Sequence, residues 1–380
     1  MTNIEDPNKD DSLFAPAPRV RIRTVAGHEA VPYSDAPGAV VERLLKKPVF
    51  VHLFTDGPDR VFNADHLATY LGNTLGPNFT VQNHGDFTQF ILSQKLQDRE
   101  EVIRRFAMSK AATKGSIPLS VNEKMQLEQQ SIDRDPAVPF REFARSQSLS
   151  ERRERLIHND YYETSALGAA FLYLLPESMR TPHDSRRDTV IVVTGRGIGN
   201  MESSYLGRPI LHMRGGFSYG NVGVVSTTGL VDAPGKPVEL GRAYQRGQQL
   251  GGGLPDFDRQ EYNQIIFEAI RKNGNVLDPK LIEQTIQEMF ADRMLHYDDP
   301  RLNEAIKGIV LSMSLFTLGE HGQAAQCSTS DLSLGEPDIS KFCRLHDAHW
   351  QEELLATQIK QPDQPEFCDY HQTIFEKLKE

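Results

Sequence analysis

The chain of 380 residues holds three cysteines, Cys327, Cys343 and Cys368, all of them late in the sequence. His371 follows in the frame Cys368-Asp369-Tyr370-His371. Cys-x-x-His is a short bite, because one turn of backbone lets a thiolate and an imidazole converge on the same ion. These are ligands zinc prefers, and a site closed by four protein ligands is structural rather than catalytic. The expected ligand set is Cys327, Cys343, Cys368 and His371, with zinc as cofactor. The bland alternative is a few buried free thiols, which pack as small apolar groups. The stretch 328–342 between the first two cysteines is long for a tight knuckle.

A second place for chemistry follows directly. Read as a helix over 345–359, the segment puts His346 beside His349, and His349 beside Glu352 and Glu353, at spacings of three and four. Two imidazoles and a carboxylate on one face could hold an open metal, with His346, His349 and Glu353 as ligands and Glu352 as base. The string His349-Trp-Gln-Glu352-Glu353 is similar to the inverted His-x-x-Glu-His zinc motif, with Glu in the last place. The alternatives are a polar helix face with local ion pairs, or support for the neighbouring cysteine loop.

Two other clusters are less specific. Gly195, Gly197 and Gly199 follow the apolar run TVIVVT, but the third glycine of a dinucleotide fingerprint is missing, and a turn between strands explains them as well. Ser226, Thr227 and Thr228 precede Gly229, where hydroxyls bind a phosphate or, more commonly, cap a turn.

The elements that must position these groups are read from periodicity. Pro48–Thr55 and Thr189–Thr194 are short apolar runs that predict buried strands, and Asn78–Gln82, Ile210–Met213 and Val222–Ser226 are further strand candidates. Asn63–Leu75 and Asp86–Phe106 show helical spacing, as do Glu261–Lys272, Pro279–Leu295, Leu302–Leu318 and Leu345–Ile359. Leu167–Leu175 fits a buried helix or strand equally. This order predicts an α/β (α+β) fold, a mixed sheet with packed helices. The domain reading is a mobile arm over 1–45, an α/β layer over 46–107, a polar insertion or linker over 108–160 and an α/β region over 161–380.

Composition narrows the function classes. A formal charge of −10 argues against a nucleic-acid partner, since neutralising phosphates needs clustered Lys and Arg. No apolar run reaches the ~18 residues needed to cross a bilayer, and the polar start carries no secretory pattern. Three cysteines make no paired disulfide framework. These features predict a cytoplasmic protein without nucleic-acid or membrane partners. A peptide or protein partner stays open, and the sequence leaves the oligomeric state unknown.

The segment VVSTTGLVDAPGKP (224–237) resembles the signature of a mostly archaeal family of unknown function that carries a metallopeptidase label. LHYDDPRLNEAIKG (295–308), CRLHDAHWQEELLATQ (343–358) and PEFCDYH (365–371) resemble the same family. The likeness covers roughly 188–380. The C-terminal part is in turn similar to the archaemetzincins, zinc proteases with a second, structural zinc. This resemblance implies a metzincin-like fold in which Cys327 and Cys343 match one ligand pair and Cys368 and His371 the other. The catalytic His-Glu-x-x-His-x-x-Gly-x-x-His of those proteases would fall just before Cys327. Its places hold Phe316, Thr317, Glu320, Gln323 and Gln326, which supply no zinc-binding histidine and no general base in register. The reading is therefore a zinc-binding, metallopeptidase-like protein without its catalytic motif, or a non-catalytic zinc-stabilised module for a peptide or protein.

Overall fold

The computed structural model describes residues 35–110, 119–145, 161–181, 183–203, 209–213, 215–232, 256–321, 324–325, 327, 343–346, 351–359 and 365–380. In chain order the elements begin α1 (Pro37–Leu45), β1 (Val49–Asp56), α2 (Ala64–Leu75), β2 (Phe79–Asp86), α3 (Phe87–Ser93) and α4 (Arg99–Ser109). α5 (Val121–Asp133), α6 (Phe140–Arg145), β3 (Tyr162–Glu163), α7 (Thr164–Leu174) and α8 (Glu177–Arg180) follow. Next come β4 (Arg187–Thr194), β5 (Ile198–Ser203), β6 (Pro209–Met213), β7 (Gly216–Tyr219), β8 (Val222–Ser226) and α9 (Thr227–Asp232). The chain continues with α10 (Asp256–Lys272), α11 (Pro279–Met289), α12 (Leu302–Thr317), α13 (Gln351–Gln358) and α14 (Asp369–Lys379).

Five strands form one sheet in the order β2-β1-β4-β8-β7. The first four are parallel, and β7 closes the edge antiparallel to β8. β3, β5 and β6 make a smaller sheet. Alternation along the strands splits the apolar side chains between two layers. Val49, Val51, Leu53, Ile191, Val193 and Val225 face a core shared with α1, α2, α12 and α14, while Phe54, Val190, Val192, Val222 and Val224 face a second core with α3, α4 and α7. β4 is buried on both faces, and all of Val190–Val193 are fully enclosed. A strand covered on both faces reads as an unbroken apolar run, which is why TVIVVT stood out.

Local chemistry sets the helix ends. Asn63, Asp86, Asp98 and Glu163 each accept a backbone N–H as N-caps, and Ser120 with Glu123 forms a full capping box on α5. Three expectations are refined. Residues 37–45 of the segment read as an arm form α1, which buries Val40, Val41 and Leu44, while residues 1–34 lie outside the described residues. The single helix expected over 86–106 is two, because Lys95 takes a left-handed φ of 53° between them. The ambiguous run 167–175 belongs to helix α7. Among the described residues, no helix is long and apolar enough to cross a membrane.

The topology leaves one distinctive place. From β1 the chain moves to β2 on one side, and its later parallel strand β4 pairs on the other side. The strand order thus reverses between β1 and β4, the point at which open α/β sheets form a crevice beyond their carboxyl ends. There Gly57 and Gly195 cross so closely that a Cβ on Gly195 would overlap the Gly57 carbonyl oxygen.

Candidate metal centre

Three short pieces of chain carry the four ligands. Cys368 stands at the N-cap of α14 and makes no side-chain capping bond, so its sulfur is free to point elsewhere. His371 lies in the first turn of the same helix, one turn further on. The Cys-x-x-His bite is therefore the face of a helix start. Cys343 and His346 lie in a turn closed by the His346 N–H donating to the Cys343 carbonyl at 3.0 Å. That turn pairs with the third piece, where the Cys327 N–H donates to the Leu345 carbonyl at 2.7 Å.

The side chains meet. Cys327 Sγ lies 3.8 Å from Cys368 Sγ, and His371 Nδ1 lies 3.5 Å from Cys343 Sγ and 3.2 Å from Cys368 Sγ. All four ligand atoms fall within 4.8 Å of one another. Zinc bonds of about 2.3 Å to sulfur and about 2.0–2.1 Å to nitrogen, at tetrahedral angles, imply roughly 3.8 Å between sulfurs and roughly 3.5 Å between sulfur and nitrogen. Those three separations lie close to the edges of such a polyhedron, and the remaining pairs fall within 4.8 Å. Cys327, Cys343 and His371 are buried and Cys368 is half-buried. Phe367, Ile374, Phe375 and Leu345 surround them in the main core. Among the described residues, no other group of His, Cys, Asp or Glu converges this way.

Crowded polar atoms in an apolar setting shift each other's protonation. Hydrogen bonds with Cys327 and Cys368, together with burial, push the Cys343 thiol up, whereas bonds from Cys327 and Cys343 hold the Cys368 thiol down. Burial opposes charge on His371, but the Cys327 and Cys368 sulfurs outweigh it and raise the imidazole to about 9. Protons shared in this way are what a divalent ion displaces when it binds.

α12 braces the centre from outside. Arg344, next to Cys343, donates to the Gln358 carbonyl at 2.7 Å and to Glu304 Oε2 at 3.0 Å, and the Gln358 amide donates back to the Arg344 carbonyl at 2.7 Å. Gly308 of α12 lies against that same carbonyl, where any Cβ would overlap the Arg344 oxygen. Neither Arg344 nor Gly308 carries a sequence signal for this role, since both depend on a contact between distant segments.

The other candidates fall elsewhere. The helix predicted to start at 345 is described from Gln351, because pairing with Cys327 holds residues 345–346 in a bridge. His346 therefore lies ahead of α13, not on it. Glu352 and Glu353 lie on α13, while His349 lies outside the described residues. Of the protease-register places, Phe316 and Thr317 end α12, and Glu320 is taken up by a bidentate pair with Arg43 at 3.1 and 2.7 Å. Gln323 and Gln326 lie outside the described residues. The Ser226–Thr228 hydroxyls work on the backbone. Ser226 Oγ donates to the Arg196 carbonyl and accepts from the Gly229 N–H, Thr227 Oγ1 accepts from the Asp59 N–H, and Thr228 Oγ1 donates to the Gly195 carbonyl. Gly195 and Gly197 lead into strand β5, not into the helix a dinucleotide site requires.

No curated protein and no solved structure matches the chain. A family model described as a family of unknown function, DUF7001, matches residues 52–374, and the chain belongs to that family.

Proposed function

We propose that this chain is a non-catalytic, zinc-stabilised module, in which Cys327, Cys343, Cys368 and His371 hold one structural zinc. The observation that carries this reading is the convergence of three sulfurs and one imidazole nitrogen at tetrahedral spacing. Four protein ligands leave no position for water or substrate, whereas a metallopeptidase needs one open position and a nearby carboxylate. When bound, the ion joins Cys327, the 343–346 turn and the start of α14. A peptide or protein partner suits such a module.

The test is elemental analysis of the purified chain before and after mild chelation. One tightly held zinc per chain is expected. A second, exchangeable metal would overturn the non-catalytic reading and favour an open site built from His346, His349 and Glu353, with Glu352 as base. Cys368→Ala should lose the zinc and several kcal/mol of stability. A variant that folds normally with full zinc content would refute the ligand set.

A further inference from the structure

The four ligands of the proposed zinc are unequally enclosed. Cys327, Cys343 and His371 are at most 1% exposed, whereas Cys368 is half-buried. Solvent therefore reaches the centre at Cys368 before it reaches the other ligands. The chain has no cysteine outside this group, so all of its thiol chemistry is gathered here.

The sulfurs also differ in what surrounds them. Cys368 Sγ lies 3.8 Å from Cys327 Sγ, and a disulfide would draw them to about 2.05 Å, so the gap to close is under about 2 Å. Cys343 has His371 Nδ1 at 3.5 Å, and its turn is pinned on both sides. The Arg344 N–H donates to the Glu366 carbonyl at 3.2 Å, and the Arg344 guanidinium reaches Gln358 and Glu304. Cys327 and Cys368 come from segments 41 residues apart, and both can shift without breaking that clamp.

We propose that the centre is a redox switch: a hydroperoxide oxidises Cys368, and the Cys327–Cys368 disulfide that follows releases the zinc. This inference rests on the zinc reading above. Hydrogen peroxide is small and uncharged, so a half-buried sulfur is accessible to it. The Cys368 thiolate attacks one peroxide oxygen, the O–O bond breaks, and the departing hydroxide takes a proton and leaves as water. Cys368 is then a sulfenic acid. The Cys327 thiolate attacks the Cys368 sulfur, the S–O bond breaks, and a second hydroxide takes a proton and leaves as water. Two thiolates, one peroxide and two protons thus give one disulfide and two waters. Cys343 and His371 remain, and two ligands do not make a closed structural site. The 343–346 turn and the first turn of α14 then lose their common ion. α14 supplies Ile374, Phe375 and Leu378 to the core that holds Val40, Val41 and Leu44 of α1, so the change is felt where the two helices pack.

The experiment treats the zinc-loaded, wild-type full chain with a slight excess of hydrogen peroxide under native conditions. A chromogenic chelator too weak to strip the untreated chain reports free zinc, while quenched samples give the thiol count and, by peptide mass mapping, the bridge. Release of the zinc is expected in step with a fall from three thiols to one, with Cys327 joined to Cys368 and Cys343 left reduced. Dithiothreitol with added zinc salt should restore both thiols and metal. Retention of zinc through oxidation, any other bridge, oxidation of Cys368 to a sulfinic acid without a bridge, or failure of the reductant to restore zinc binding overturns the switch. A chain that is purified without zinc and takes up none when it is added sinks the zinc reading itself, and the switch with it. A chain that holds zinc but does not release it sinks the switch alone.

Discussion

Arg196 is the bulkiest fully buried side chain among the described residues, 1% exposed yet charged. Its nitrogens reach Asp56 and Glu128, and its guanidinium lies 4.3 to 4.7 Å from the ring centres of Phe106, Phe140 and Tyr162. Cation–π attraction is strongest where the ion has left water, so the aromatic cage and the two carboxylates together replace its hydration. Arg196→Met would leave Asp56 and Glu128 buried without this cation. A loss of roughly 3–5 kcal/mol is expected in denaturant unfolding, and an unchanged midpoint would show the network to be energetically silent. Nothing in the sequence announces this cluster. Its members come from six separate segments, and a lone Arg or Asp reads by default as surface. The metal ligands were readable for the opposite reason. Cysteine and histidine have few surface roles, and Cys368 and His371 are joined by a local turn.

At the scale of elements, α12 shows how closely packing and the metal centre are tied. Its apolar spacing, Ile306, Ile309, Val310 and Met313, predicted Leu302–Leu318, one residue longer than observed, and in the fold Ala305, Ile306, Val310, Leu311 and Leu315 are buried. Gly308 interrupts that face to admit the Arg344 carbonyl. Gly308→Ala should cost about 1–3 kcal/mol by overpacking and speed metal loss to a chelator; unaltered release kinetics would separate the helix from the centre. On the proposed zinc reading, removing the metal has its own signature. Hydrogen exchange should rise first in α14 and in α1, which packs on it, while β4 stays protected. Uniform exposure would mean that the ion holds the whole core. Periodicity was weaker where elements are short. α1 is only nine residues long; Val40, Val41 and Leu44 stand at helical spacing within it, but the partner that buries them, α14, lies far along the sequence.

The whole molecule should respond to acid in two stages. His84, on edge strand β2, is stacked against Phe54 and linked to His52 at 2.9 Å, which in turn meets Asp188 at 3.0 Å. Burial, then the charge of His52, pushes His84 down to about 4 from 6.5. The unfolded chain therefore takes up this proton first. The stability His84 contributes is complete above 6.5 and drains away as pH falls toward 4. Asp56, held below the ordinary carboxylate value of 3.8, adds a second loss only in stronger acid. Unfolding curves across the upper window should show a shallower pH slope for His84→Gln than for the wild-type chain; equal slopes would remove His84 from the account. The packing of α14 on α1 bears on biosynthesis as well. A ribosome delivers α1 long before its partner, so the early helix emerges with Val40, Val41 and Leu44 uncovered and must wait for nearly everything that follows. On the proposed zinc reading, an ion reaching Cys368 and His371 at the start of α14 then shuts the polypeptide like a clasp.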